Sequence, residues 1–133
     1  MAHTQSLTLS RRAMVALLLL IASFATLVPG GPIETRDFSQ MDPVIFWGFN
    51  VLLIGMGLAG MSLCFWLWQA RNFALWGSIG LGWGYLTIYV LDWVHIFPPS
   101  PDPIGLSLMI VEIFGFICCV YLLVFAHLAL YRR

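Results

Sequence analysis

Tyr85, Tyr89, Asp92 and His95 follow one another at steps of four, three and three, and Glu112 stands alone in a long apolar stretch. On a helix that spacing lays the first four residues along one stripe. Phenol, carboxyl and imidazole groups can hold a cation, carry a proton or bind a polar headgroup. Asp92 and His95, at i and i+3, can also pair with each other. If the helix runs to Phe97, Asp92 lies roughly 8 Å inside its outer end. Glu112 is the sharper anomaly. Counted from Pro103 it lies roughly 14 Å along its helix, near the middle of a hydrocarbon core about 30 Å thick. An acid at that depth costs about 2.5–3.5 kcal/mol on insertion scales and normally faces protein or a water-filled cavity. Glu112, Asp92, His95 and Tyr89 therefore form the candidate polar or ion site. Two readings stand side by side: an interhelical hydrogen-bonded cluster that holds the bundle, and a site that carries a proton or cation.

Position excludes much other chemistry. His95 and His127 fall near opposite ends of their helices, about 30 Å apart in level, so they cannot be opposed ligands of one haem. A single-histidine haem or chlorophyll site stays formally open. His, Cys and carboxylate groups never cluster at zinc-ligand spacing, and no Ser-His-Asp arrangement falls on an exposed loop. Gly55-Met56-Gly57-Leu58-Ala59-Gly60 spells G-x-G-x-x-G, but dinucleotide sites need that motif between a strand and a helix. Here it lies inside an apolar run. Cys64, Cys118 and Cys119 also lie in apolar runs, with no C-x-x-C and thus no redox pair. The net charge of zero leaves no basic patch for nucleic acid. No catalytic residue, metal, cofactor, nucleotide or nucleic-acid partner is expected.

The elements that must position these residues are dictated by composition and by the arginines. Of 133 residues, 61% are hydrophobic and 9% charged, with a mean hydropathy of +0.93, a balance no soluble surface accommodates. The apolar runs predict helices over about 10–29, 43–69, 73–97 and 103–131, each near the length that spans a bilayer. Outer loops cover 30–42 and 98–102, and Gln69 to Asn72 makes a tight turn. Arg11, Arg12, Arg71, Arg132 and Arg133 fall on one side; Arg36 alone falls on the other, beside Glu34, Asp37 and Asp42. Basic residues concentrate on the cytoplasmic side of short loops. The expected fold is an all-α integral membrane protein, one domain of four transmembrane helices in an up-and-down bundle with both termini inside. A bacterial cytoplasmic membrane is the default location. Trp47, Trp66, Trp68, Trp76, Trp93 and Tyr131 fall where interfacial aromatic belts lie. The first run also resembles a signal peptide, with Ser23-Phe24-Ala25 as a small-x-small cleavage site. Asp42-Pro43 and Asp102-Pro103 each read as an N-cap followed by proline at the first helical position.

Small residues mark packing faces. Gly48, Gly55, Ala59 and Ser62 recur at helical spacing on the second helix, Gly80 and Gly84 make a G-x-x-x-G on the third, and Gly115 shares the Glu112 face. Such residues let helix backbones approach inside a bilayer, within one bundle or against a partner. With tiny loops and no extramembrane domain, the chain reads as a non-enzymatic accessory, scaffold or assembly subunit of a membrane complex. Its expected partners are the lipid bilayer and a membrane protein or a second copy. One alternative is a small proton-coupled carrier or transporter using Glu112 with Asp92 and His95. Another is a pigment- or quinone-binding electron-transfer subunit.

Overall fold

The computed structural model describes residues 2–132. It consists of α1 (Ala2–Ala25), α2 (Pro43–Trp68), α3 (Asn72–Trp93) and α4 (Leu106–Tyr131), with no strand among the described residues. All four helices are long and apolar enough to cross a membrane. Consecutive helices run antiparallel. α4 packs between α1 and α3, and α2 closes the ring against α1 and α3; the α1–α4 seam is the most extensive and α2–α3 the least. The start of α1, the end of α4 and the α2–α3 turn gather at one end of the bundle. There Ser10 Oγ donates to Leu67 O at 2.6 Å and Arg132 Nη1 donates to Gln5 Oε1 at 3.0 Å. The segments 26–42 and 94–105 close the other end, called the loop end below.

The core is a column of Leu17, Leu20, Leu67, Leu75, Tyr85, Tyr89 and Leu122 closed by small Ala13, Cys119 and Ala126, all essentially buried. α1 is thus a full wall of the bundle, and Ser23 and Phe24 are buried in its last turn. The outer surface is as apolar as the inside: Val44, Trp47, Phe65, Trp76 and Leu106 are all largely exposed. This pattern suits a hydrocarbon surround, in which an apolar face needs no covering.

Helix ends differ from expectation for local reasons, and the differences move the candidate site. α1 starts earlier than residue 10 and stops at Ala25, four residues short of 29. A turn follows in which Gly31 N donates to Val28 O at 2.7 Å, Pro29 fixes one central φ, and Gly30 takes φ 83°, the glycine position of a type II turn. Asp42 caps α2 as its Asp-Pro sequence predicts, accepting from Val44 N at 2.8 Å and Ile45 N at 3.3 Å. Its twin does not. α4 begins at Leu106 behind an uncapped Gly105, and Asp102 Oδ2 instead accepts from Asp37 N at 2.7 Å, tying the two loops together.

α3 ends at Trp93 rather than Phe97. His95 takes a left-handed φ of 55°, its N–H donates to Asp92 O, and Ile96 N donates to Leu91 O. This pair of bonds satisfies the last carbonyls and stops the helix. α2 stops the same way, with Ala70 at φ 52°, Ala70 N donating to Leu67 O and Arg71 N to Trp66 O. Asp92 therefore belongs to the last turn of α3. Glu112, six residues into α4, lies roughly 9 Å from its start. The two acids are near one level, close to the loop end, and Glu112 is not at the bundle's middle.

Candidate functional site

Asp92 leaves the last turn of α3 pointing into the bundle, and the cation it meets comes from the loop. Arg36 Nη1 and Nη2 donate to Asp92 Oδ1 and Oδ2 at 2.8 and 3.0 Å. The opposite edge of the same guanidinium grips Glu34, with Nε to Oε1 at 2.9 Å and Nη2 to Oε2 at 2.6 Å. Both contacts are fork-to-fork, the geometry in which planar guanidinium and carboxylate groups fit best. All three side chains are buried, at 6%, 3% and 8% exposure for Arg36, Glu34 and Asp92. Burial disfavours the Arg36 charge, but hydrogen bonds and Coulomb attraction from Glu34 and Asp92 outweigh it and hold its pKa above the ordinary arginine value. The loop around it is set by Asp37, whose exposed carboxylate accepts from Ser39 N at 2.8 Å and Ser39 Oγ at 2.9 Å. Those bonds hold the Asp37 pKa below its usual range.

Glu112 completes the cluster from α4. Its Oε2 accepts from Trp93 Nε1 at 2.8 Å, and it lines the same small cavity as Asp92. Trp93 thus turns its N–H inward, and its ring packs on Phe116 at 5.0 Å between centroids; it is a ligand of the cluster more than a belt residue. Beneath lies a cavity of about 30 Å³, lined by Glu34, Arg36, Asp92, Glu112, Tyr89 and apolar neighbours. A water needs roughly 10–15 Å³ by this measure, so the space suits one water and no organic substrate.

Tyr89 stands below the acids. Its ring meets Phe24 edge-on at 5.7 Å, and its buried hydroxyl makes no well-formed hydrogen bond, with Ser23 Oγ beside it. Gly115 is what admits it: a Cβ at that position would collide with the Tyr89 hydroxyl. Tyr85 is fully buried one turn further from the loop end, its hydroxyl likewise without a partner.

Of the four residues singled out from the sequence, Glu112, Asp92 and Tyr89 come together. His95 does not. Its left-handed backbone turns it away from the stripe, and its side chain is exposed. Asp92 pairs with Arg36 rather than with His95. Glu34, Arg36 and Trp93 are the members the sequence reading missed. The available signal was charge: Arg36 is the single basic residue among the loop-end acids. Among the described residues, no three His, Cys, Asp or Glu side chains gather as a metal-binding group.

The packing residues divide in two. Gly115 packs on Tyr89, and Gly84 meets the end of Met56. Gly48, Gly55 and Gly80 face open space, and Ala59 and Ser62 are exposed. The close approaches inside the bundle fall instead at Gly60, against Ile21 and Leu17, at Gly77 against Leu63, and at Gly82 against Leu123.

A protein-family model described as a domain of unknown function, DUF8051, matches residues 10–133. The chain belongs to that family. The matched span holds every residue of the ionic cluster and the outward face of α2. No curated protein and no solved structure matches the chain.

Proposed function

We propose that this protein is a four-pass integral membrane protein, both termini cytoplasmic, that serves as a non-enzymatic accessory, scaffold or assembly subunit of a membrane complex. A bacterial cytoplasmic membrane is the setting this reading adopts. The observation that carries it is the outward face of α2. This helix buries 22% of its most apolar window, against 33–39% for the other three. Gly48, Gly55, Ala59 and Ser62 fall within one narrow stripe along it, flanked by exposed Val51, Leu52 and Leu58. Inside a bilayer such a groove gains nothing from lipid and much from a helix that fits it. The test is gentle detergent extraction at native abundance. A stoichiometric protein partner should co-purify and be lost in Gly55→Leu; a partner-free monomer or a pure homo-oligomer contradicts the proposal.

A second reading is favoured by the small cavity that Asp92 and Glu112 both line. It makes the chain a small proton-coupled carrier, with Glu112 as the proton-bearing group and Asp92 and Arg36 at its mouth. The cavity's size restricts that reading to protons in this conformation. Glu112→Gln keeps an acceptor for Trp93 and so should keep the fold. Undiminished proton flux in that variant, measured in proteoliposomes, would eliminate the carrier.

A further inference from the structure

At the end opposite the ionic cluster, a groove of about 540 Å³ runs along the outside of the α1–α4 seam. Its floor is made of small buried residues, Ala16 and Cys118, and its walls of half-exposed Val15 and Leu19 on α1 and Tyr121 and Phe125 on α4. The Tyr121 and Phe125 rings stack at 5.7 Å and stiffen the α4 wall. The volume is ligand-sized. From Arg12 to Leu19 the apolar part of the groove extends roughly 10 Å along α1 at 1.5 Å per residue, about a third of a 30 Å hydrocarbon core. One leaflet's acyl chain has that reach.

The mouth is cationic. Arg11 and Arg12 line it, and neither pairs with a carboxylate among the described residues. The Arg11 guanidinium lies over the Trp68 ring at 4.2 Å, and that of Arg12 over Phe125 at 5.8 Å. Stacking holds the planar groups in place while leaving N–H edges free for an anion. Among the described residues, no acidic side chain at this end competes. All six acidic side chains (Glu34, Asp37, Asp42, Asp92, Asp102 and Glu112) lie in the loops or in the helix turns nearest the loop end.

We infer that the α1–α4 groove is a binding site for one anionic phospholipid, with an acyl chain against the apolar walls and its phosphate held by Arg11 and Arg12. The inference rests on the membrane reading above and is independent of the partner proposed on α2. Phosphate carries the charge, the two guanidinium groups complement it, and the apolar trough begins directly below them.

The test uses the full chain in nanodiscs of phosphatidylcholine with a minority of phosphatidylglycerol, released gently and weighed by native mass spectrometry. One phosphatidylglycerol should be retained preferentially, and Arg11→Gln/Arg12→Gln should weaken retention by about thirtyfold. Arg71→Gln/Arg132→Gln removes two charges at the same end, away from the groove, and should change little. Equal loss in both double variants would mean diffuse surface attraction and overturn the site. Undiminished retention in Arg11→Gln/Arg12→Gln, equal retention of phosphatidylcholine, or capture of a free fatty acid or inorganic phosphate instead would also overturn it. Release of the wild-type protein from membranes by alkaline carbonate would defeat the membrane reading itself, a failure distinct from loss of lipid selectivity.

Discussion

Arg36 joins the first loop to α3, and its value is best seen by removal. Breaking a buried ion pair from one side leaves the other charge uncompensated, at about 3–5 kcal/mol. Arg36→Met should therefore destabilise the bundle by about that much, read as a loss of thermal stability in detergent. Arg36→Lys should rescue little of it, because an ammonium cannot grip two carboxylates edge-on. Alkali will not mimic the mutation: the folded pKa is raised, so the contribution is complete below the ordinary arginine value and persists across any working pH. Asp37 has the opposite sign. Its folded pKa is lowered, so its contribution is present above the ordinary aspartate range and fades as pH falls through the folded value. His95 offers a gain. A non-glycine residue held at left-handed φ costs roughly 1–2 kcal/mol, so His95→Gly should raise the melting temperature and leave the cluster intact. A large loss of stability there would show that the imidazole has a role the geometry does not give it.

Among elements, the two kinds of glycine should respond in opposite ways. Gly60→Val drives a side chain into Ile21 and Leu17 and should cost about 1–3 kcal/mol by overpacking. Gly55→Val meets open space and should leave the isolated bundle's melting temperature nearly unchanged. Equal destabilisation by both, in partner-free detergent, would show that α2 is turned the other way. This contrast explains what the sequence could disclose. The four helices were legible from the length of the apolar runs, but the ends of α1 and α3 and the start of α4 were not. Nor was the facing of α2, because a helix apolar all round has no polar stripe to mark its outside. The partners of Asp92 and Glu112 were hidden for two further reasons. The i,i+3 stripe through His95 assumed a helix that stops at Trp93, and Arg36 looked like a topology exception when it is an inward ligand. The cap at Asp42 and its absence at Asp102 show the same limit: the identical dipeptide caps a helix only where a competing N–H, here that of Asp37, does not reach the carboxylate first.

Across the whole molecule, the charges are segregated. Arg11, Arg12, Arg71 and Arg132 lie at one end and every acidic side chain lies towards the other. If the proposed orientation holds, single cysteines introduced at Ser39 and Ser100 should react with an impermeant thiol reagent from the periplasmic side, and one at Asn72 should not. Labelling of all three from one side would contradict four crossings. The cluster at the loop end also dictates an order of assembly. Chains emerge amino-terminus first, so Glu34 and Arg36 are delivered before Asp92, and Asp92 before Glu112. The first hairpin must wait with a half-matched guanidinium until α3 brings its acid, and only α4 supplies Glu112, the acceptor for the Trp93 N–H. A chain truncated after α2 should therefore be a substrate for membrane quality control, recognised by an arginine still lacking one of its two carboxylates.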